Sequence, residues 1–161
     1  MKPARLVGSG AEPAGSGATP YGMFQLADSY LAGARAVAEQ ASRLLTAGPV
    51  RLLSYHASEL FLKAYLKERG VEPDDLRSYG HDLERLMEVA VSHGLDRAPR
   101  TVAQLAKIAK RRDYVRVRYV VVEDREEISA DAAIQLAESV RDTVRFALHY
   151  DEQGRPEATS P

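Results

Sequence analysis

Three polar side chains interrupt the most apolar stretch of the sequence, residues 50–69. His56, Glu59 and Lys63 recur at spacings of three and four residues, so they share one face if the stretch is helical. The face would offer an imidazole, a carboxylate and an ammonium to one surface. An acid four residues before a base is also a favourable helical ion pair. A structural pair therefore competes with a role for Lys63 as a phosphate contact, and His56 is typical of a hydrogen-bonded core or interface histidine.

A second set of candidates lies downstream. His81 and Asp82 stand at a predicted helix start, where they either initiate the helix or, in the case of His81, line a cleft. A basic run follows, in which Asp113 is the only acid and Tyr114 and Tyr119 are interleaved. Its cations are Lys107, Lys110, Arg111, Arg112, Arg116 and Arg118. Such a run is either a solvated helix face or a surface for phosphates and stacked bases.

Several chemistries are excluded or lack their usual motif. The chain has no cysteine, which excludes disulfides, thiol nucleophiles and cysteine-bound zinc. The four histidines are scattered and no HExxH motif occurs, so we expect no metal. A phosphate-binding glycine loop is also missing, and we expect no cofactor. The formal net charge of −1 provides no global attraction for nucleic acid, so any such contact must be local.

Length and hydropathy predict one cytoplasmic domain that does not enter a membrane. The chain has 161 residues, which suits a single domain. No apolar run approaches the ~20 residues of a membrane span, and no signal peptide is recognisable. Residues 1–20 are rich in Gly, Ala, Pro and Ser and predict a disordered leader. We assign residues 21–150 to the folded domain and residues 151–161 to a flexible tail.

The elements that must position these side chains are helices. Residues 50–69 are apolar nearly all round, which predicts a central helix covered on most sides. Apolar periodicity predicts other helices over residues 23–46, 82–92 and from 99 onwards, the last of these with a capping box formed by Thr101 and Gln104. Ser129 should cap the final helix. We predict a loop over residues 71–79 and an extended connector over residues 114–122. The fold class is therefore all-α, an antiparallel bundle of four to five helices.

Three pieces of sequence now occur in a characteristic order. They are HASELFLKAYLKERG at residues 56–70, GHDLERLMEVA at 80–90 and VRVRYVVVEDREEISADAAIQLAESVRDTVRFA at 115–147. Together they resemble the HEPN domain, over about residues 22–150. The resemblance implies an up-and-down helical bundle, frequently a homodimer. It also implies roles in nucleotide or RNA binding, in toxin ribonuclease activity, or in pairing with small nucleotidyltransferases.

The ribonuclease members of that family carry an Arg followed, after four to six residues, by a His. Here the expected place is near Arg112, and no His follows it. Arg51 and His56 match the spacing but lie in the central helix, where their side chains diverge by roughly 140°. We therefore assign no catalytic residue and prefer a non-catalytic module. The resemblance also implies that the Arg-Tyr dipeptide, here Arg118 and Tyr119, lies beside the binding groove of the domain.

The preferred interpretation is a HEPN-like module that binds RNA or a nucleotide through a basic groove, in a toxin–antitoxin or defence system. The proposed binding residues are Lys63, His81, Lys110, Arg111, Arg118 and Tyr119, with His56 and Glu59 as the polar strip beside them. One alternative is a ribonuclease toxin that uses Arg118 and Tyr119 with His81. Another is a protein-interaction partner of a nucleotidyltransferase. We expect a homodimer in the preferred case.

Overall fold

A computed structural model describes residues 19–40, 47–119 and 128–157. Within those ranges the chain forms five longer helices and two short ones, and no strand beyond a single bridge between Tyr150 and Pro156. The helices are α1 (Pro20–Ala38), α2 (Gly48–Glu68), α3 (Pro73–Ser78), α4 (Leu83–Ser92), α5 (Pro99–Arg111), α6 (Asp113–Arg116) and α7 (Ala130–Ala147). The predicted all-α helical bundle is confirmed.

Helix α2 is the centre of the bundle, as its apolar pattern predicted. It packs against α1, α7 and α4. Its aromatic side chains Tyr55, Phe61 and Tyr65 are completely buried. Because α2 is covered by other helices on most sides, its polar residues have little access to water and must find partners within the fold.

Helix ends follow local capping chemistry in three places. The side chains of Thr19, Asp82 and Ser129 each accept a hydrogen bond from a backbone N–H in the first turn of α1, α4 and α7. The predicted cap at Ser129 is thus confirmed. The predicted capping box at Thr101 is wrong, because α5 follows Ala98, and the buried Thr101 hydroxyl instead lies 2.8 Å from that of Ser139.

The path from α5 into α6 differs from the extended connector that the sequence predicted. Arg112 has a left-handed backbone, with φ of 52°, and ends α5. The turn carries Asp113 and Tyr114 into the core, where Tyr55 donates to Asp113. Burial has therefore overridden the local β preference of the segment. Residues 117–119 form a turn, and residues 120–122 of the predicted connector lie outside the described residues.

Two other segments also differ from the prediction. Helix α1 ends at Ala38, and residues 41–46 of the predicted helix lie outside the described ranges. The predicted loop over residues 71–79 contains the one-and-a-half-turn helix α3, which Pro73 opens. Of the predicted leader, only residues 19 and 20 are described, and Pro20 is the first residue of α1.

Residues 151–157 turn back onto α1, although the sequence predicted a flexible tail there. Gln25 donates to the backbone oxygen of Gly154 at 2.9 Å. The guanidinium of Arg141, on α7, binds both carboxylate oxygens of Asp28, on α1. We call Asp28, Arg141 and Gly154 the C-terminal clasp. Residues 158–161 lie outside the described residues, and the predicted domain limits remain predictions.

Candidate functional site

Glu59 is a nearly buried carboxylate in the middle of α2, with 3% of its surface exposed. Its Oε1 accepts from Lys63 Nζ at 2.6 Å. Its Oε2 accepts from the Tyr114 hydroxyl at 2.6 Å and lies 3.0 Å from His81 Nδ1. One side chain thus joins α2, the turn before α4, and α6. With His56, which contacts Tyr114, these residues form what we call the Glu59 cluster.

The cluster keeps Glu59 ionised and Tyr114 neutral. Burial alone would raise the pKa of Glu59, but the surrounding donors His56, Lys63, Tyr114 and His81 hold that pKa well below its usual value. Burial raises the pKa of the Tyr114 hydroxyl far above its usual range, and the adjacent Glu59 carboxylate raises it further. Tyr114 is therefore a hydrogen-bond donor at any physiological pH.

These charge states fix the tautomers of two histidines. An ionised carboxylate only accepts hydrogen bonds, so His81 Nδ1, 3.0 Å from Glu59, carries a proton. The proton of Tyr114 goes to Glu59, so His56 Nδ1, 2.8 Å from the Tyr114 oxygen, must donate to it. Both imidazoles turn Nδ1–H into the cluster. The Nε2 atom of each is then left for contacts outside the cluster.

Lys63 is mainly a structural member of this cluster. Its ammonium donates to Glu59 and, at 3.0 Å, to the backbone oxygen of Gly80. The second bond holds the turn between α3 and α4, and so places His81 beside Glu59. The predicted pair of Glu59 and Lys63 is therefore present, but the ammonium is shared between two acceptors inside the protein.

Two clefts have Tyr114 among their lining residues. The first, the His81 cleft, has a volume of about 410 Å³. Its walls come from the turn before α4 and from the junction of α5 with α6, and include Tyr79, His81, Asp82, Arg112, Tyr114 and Val115. The second, the Arg118 cleft, has a volume of about 260 Å³ and lies between α1, α2 and α6. Tyr30, His56, Tyr114 and Arg118 contribute to its lining.

The predicted binding residues are only partly brought together. His81 lines the first cleft and Arg118 the second, where its guanidinium stacks 5.0 Å from the centre of the Tyr114 ring. Tyr119 follows Arg118 and is 79% exposed. Lys110 and Arg111 occupy the last turn of α5 and line neither of these two clefts.

Sequence reasoning missed Tyr114, Arg112, Asp82 and Tyr30 as members of the site. Tyr114 and Arg112 belonged to the basic, aromatic run, but their orientation depends on the left-handed turn at Arg112. Asp82 was assigned to helix initiation, which it does perform, although it also lines the His81 cleft. Tyr30 lies on α1, and its place in the apolar pattern of that helix gave it no role in a site. Its ring lies 4.4 Å from that of His56, a contact between helices that spacing alone does not predict.

The fold and this site define a helical bundle with a buried carboxylate that positions two histidines and a tyrosine. The HEPN domain model matches residues 27–147, from α1 to α7, and the chain belongs to the HEPN domain family. That family is related to nucleotides and RNA. No curated protein and no solved structure matches the chain.

The described residues contain neither a helix suited to cross a membrane nor a group of side chains suited to hold a metal ion. None of the helices there combines the length and the apolar character that crossing a membrane requires. In the same part of the chain, no three acidic, histidine or cysteine side chains are placed to hold a metal ion.

Proposed function

We propose that this HEPN domain binds RNA or a nucleotide through the two clefts beside Tyr114. The observation that carries the proposal is the position of that ring, fixed by Glu59 and shared by both clefts. Each cleft has an arginine among its lining residues, Arg112 in the first and Arg118 in the second. A phosphodiester chain that runs from one cleft to the other would meet an arginine in each.

The exposed side of this surface suits bases as well as phosphates. Arg118 is held over Tyr114 by a cation–π contact, so less side-chain entropy is lost when it binds an anion. Tyr119 presents an exposed ring next to it, and stacking on such a ring is tolerant of base identity. Together these features favour single-stranded RNA or a nucleotide over a base-paired duplex.

The wider role that we propose follows the family. A domain of this kind would act as a homodimer or with a nucleotidyltransferase, in a toxin–antitoxin or defence system. Light scattering of the purified chain, alone and with a candidate nucleotidyltransferase, tests these partners directly. A chain that stays monomeric and does not bind the nucleotidyltransferase would contradict both proposed partners.

The proposal is tested by the salt dependence of binding to a labelled oligoribonucleotide. Arg118→Ala should weaken binding and reduce the slope of log affinity against log salt by about 1, the loss of one phosphate contact. Arg35→Ala is the matched control, since Arg35 is an exposed arginine on α1 that pairs with Glu138. Equal affinities for the two variants would contradict the assignment of Arg118.

A second candidate function, RNA cleavage, is favoured by the two fixed histidines. With Nδ1–H held by the cluster, the Nε2 of one imidazole could accept the proton of a ribose 2′-hydroxyl. The other imidazole, when protonated, could donate to the leaving 5′-oxygen. The 2′-oxygen would bond to phosphorus as the bond to the 5′-oxygen breaks, which leaves a 2′,3′-cyclic phosphate. This version adds His56 to the set of His81, Arg118 and Tyr119 that the sequence suggested.

Cleavage is tested by incubating end-labelled RNA with the wild-type chain and with the His56→Ala and His81→Ala variants. The expected result is a product with a 2′,3′-cyclic phosphate that both substitutions abolish. RNA that stays intact at high protein concentration removes this candidate, and leaves binding as the function.

A further inference from the structure

The His81 cleft carries both a cation and an anion, which suggests that it selects its ligand. Arg112 can meet a phosphate there, but Asp82 would repel one. A carboxylate in a nucleotide site instead suits the hydrogen-bond donors of a base. We propose that the His81 cleft receives a guanine base and that Asp82 selects it. This inference rests on the proposed function and deepens it by naming the base.

The cleft has the size and surface that a base requires. Its volume, about 410 Å³, lies in the range of small-molecule sites. Leu83 and Ile108 close the cleft between α4 and α5 and are each 1% exposed, whereas Val115, which also lines it, is 47% exposed and provides apolar surface. The half-buried Tyr79 adds aromatic surface. A flat base would cover this apolar area and stack on a ring.

Asp82 has acceptor capacity left after it caps α4. Its Oδ1 accepts from the backbone N–H of Arg85 at 3.0 Å. An ionised carboxylate has about four acceptor positions on its two oxygens, and this cap uses one. The side chain is exposed at the cleft, so the remaining positions can face a ligand.

Guanine is the base whose donors match a carboxylate. Its N1–H and its exocyclic N2 amino group lie side by side and can donate to the two oxygens together. In adenine and cytosine the exocyclic amino group stands next to a ring nitrogen that accepts, and uracil places its one ring N–H between two carbonyl oxygens. Facing those edges, Asp82 would gain at most one hydrogen bond and would meet an acceptor beside it.

The rest of the nucleotide would then lie near Arg112 and His81. His81 is held by Glu59 through Nδ1, so its Nε2 is the atom left for a ligand. Arg112 is exposed at the junction of α5 with α6, where the left-handed turn places it next to Tyr114. A phosphate bound by Arg112 would leave the base to Asp82 and the apolar surface.

Asp82→Asn tests the selection without removing the helix cap, because asparagine caps a helix about as well as aspartate. Calorimetric titration of the full chain would compare GMP, AMP, CMP, UMP and xanthosine monophosphate. The wild type should bind GMP about tenfold or more tightly than the other three common nucleotides, the discrimination of one bidentate pair. Asp82→Asn should lose that preference and favour xanthosine monophosphate, whose O2 can accept from the asparagine amide.

Asp131→Asn is the matched control, since Asp131 is an exposed acid in the first turn of α7 and lines neither cleft. It should leave the order of affinities unchanged. The guanine site is wrong if all four common nucleotides bind with equal affinity and Asp82→Asn leaves those affinities unchanged. The proposed function still stands in that case if Arg118→Ala weakens RNA binding. If no nucleotide and no RNA binds the wild type, both are wrong.

Discussion

Two polar clusters tie distant parts of this bundle together, and they are built differently. In the C-terminal clasp, Arg141 binds Asp28, with Nε 2.5 Å and Nη2 3.2 Å from the two carboxylate oxygens, and its Nη1 also donates to the exposed Asp142 Oδ1 at 3.5 Å. The same Nη2 donates to the backbone oxygen of Glu152. The clasp therefore shares one guanidinium between two carboxylates and a backbone oxygen, so the donors of Arg141 are used within the fold.

The Glu59 cluster instead gathers several side-chain donors on one carboxylate. The Glu59 side chain is 4% exposed, against 23% for Asp28. His81 and His56 each use one ring nitrogen inside the cluster, and both residues also line a cleft. A cluster that satisfies itself stabilises the fold, whereas one that fixes side chains with polar atoms left over can position them for a ligand.

Glu59→Gln should have the largest effect on stability and should also weaken RNA binding. The amide loses the charge and turns a donor towards Lys63 or Tyr114, so a buried pair is broken, at a cost of about 3 kcal/mol in the free energy of unfolding. Urea unfolding measures that cost. Asp28→Asn is the control, because it breaks the more exposed pair and should cost about 1 kcal/mol with RNA affinity unchanged. Equal losses of RNA affinity in Glu59→Gln and Asp28→Asn would contradict the assignment of a binding role to the Glu59 cluster alone.

Gly154→Ala should act on the clasp alone. A Cβ at this position would lie 2.8 Å from Phe24 Cε1 and 2.9 Å from Asp28 Oδ2, and the φ of 75° is unfavourable for alanine. Overpacking and backbone strain together should cost about 2 kcal/mol in the free energy of unfolding. RNA affinity should be unchanged under conditions where the variant is folded. A loss of affinity as large as that of Glu59→Gln would show that the clasp also supports the site.

The local features of the fold could be predicted from the sequence. The apolar pattern of α2 shows that it must be covered, and Ser129 is recognisable as a cap because capping depends on neighbours within one turn. Gly70 ends α2 with φ of 81°, again a local effect. Glu59 and Lys63 are four residues apart, so their contact also follows from helix geometry.

The site could not be predicted as fully, because its decisive contacts join residues far apart in sequence. Tyr114 reaches Glu59 only because the left-handed turn at Arg112 ends α5 and directs the next two residues inward. Nothing in the residues near Arg112 marks that turn, and a run of Val and Tyr favours extended structure. Thr101 shows the same limit, since a distant partner, Ser139, takes the hydroxyl that local spacing assigned to a cap.

Tyr114→Phe should distinguish the contribution of the Tyr114 hydroxyl, which donates to Glu59, from the contribution of the Tyr114 ring. Removing a donor to a buried carboxylate should cost about 1.5 kcal/mol in the free energy of unfolding. Tyr65→Phe is the control, because Tyr65 donates to a neutral backbone oxygen, that of His93, and should cost about 1 kcal/mol. RNA binding through Arg118 should be retained, since the phenylalanine ring can still support the guanidinium. Loss of binding would show that the hydroxyl, or His56 through it, contacts the ligand.

The smallest effect that we predict is the contribution of Glu59 to stability in acid. Because the donors around Glu59 hold its folded-state pKa below the ordinary 4.5, its stabilisation is fully present above about pH 4.5 and is lost as the pH falls towards the folded-state pKa. Below pH 4.5 the wild type should therefore lose stability faster than Glu59→Gln, by up to about 1 kcal/mol per pH unit. Urea unfolding at pH 5.5, 4.5 and 3.5 compares the two slopes, and the other carboxyl groups cancel because both proteins have them. Parallel slopes would mean that Glu59 titrates alike in the folded and unfolded chains, and that its donors stabilise its two protonation states equally.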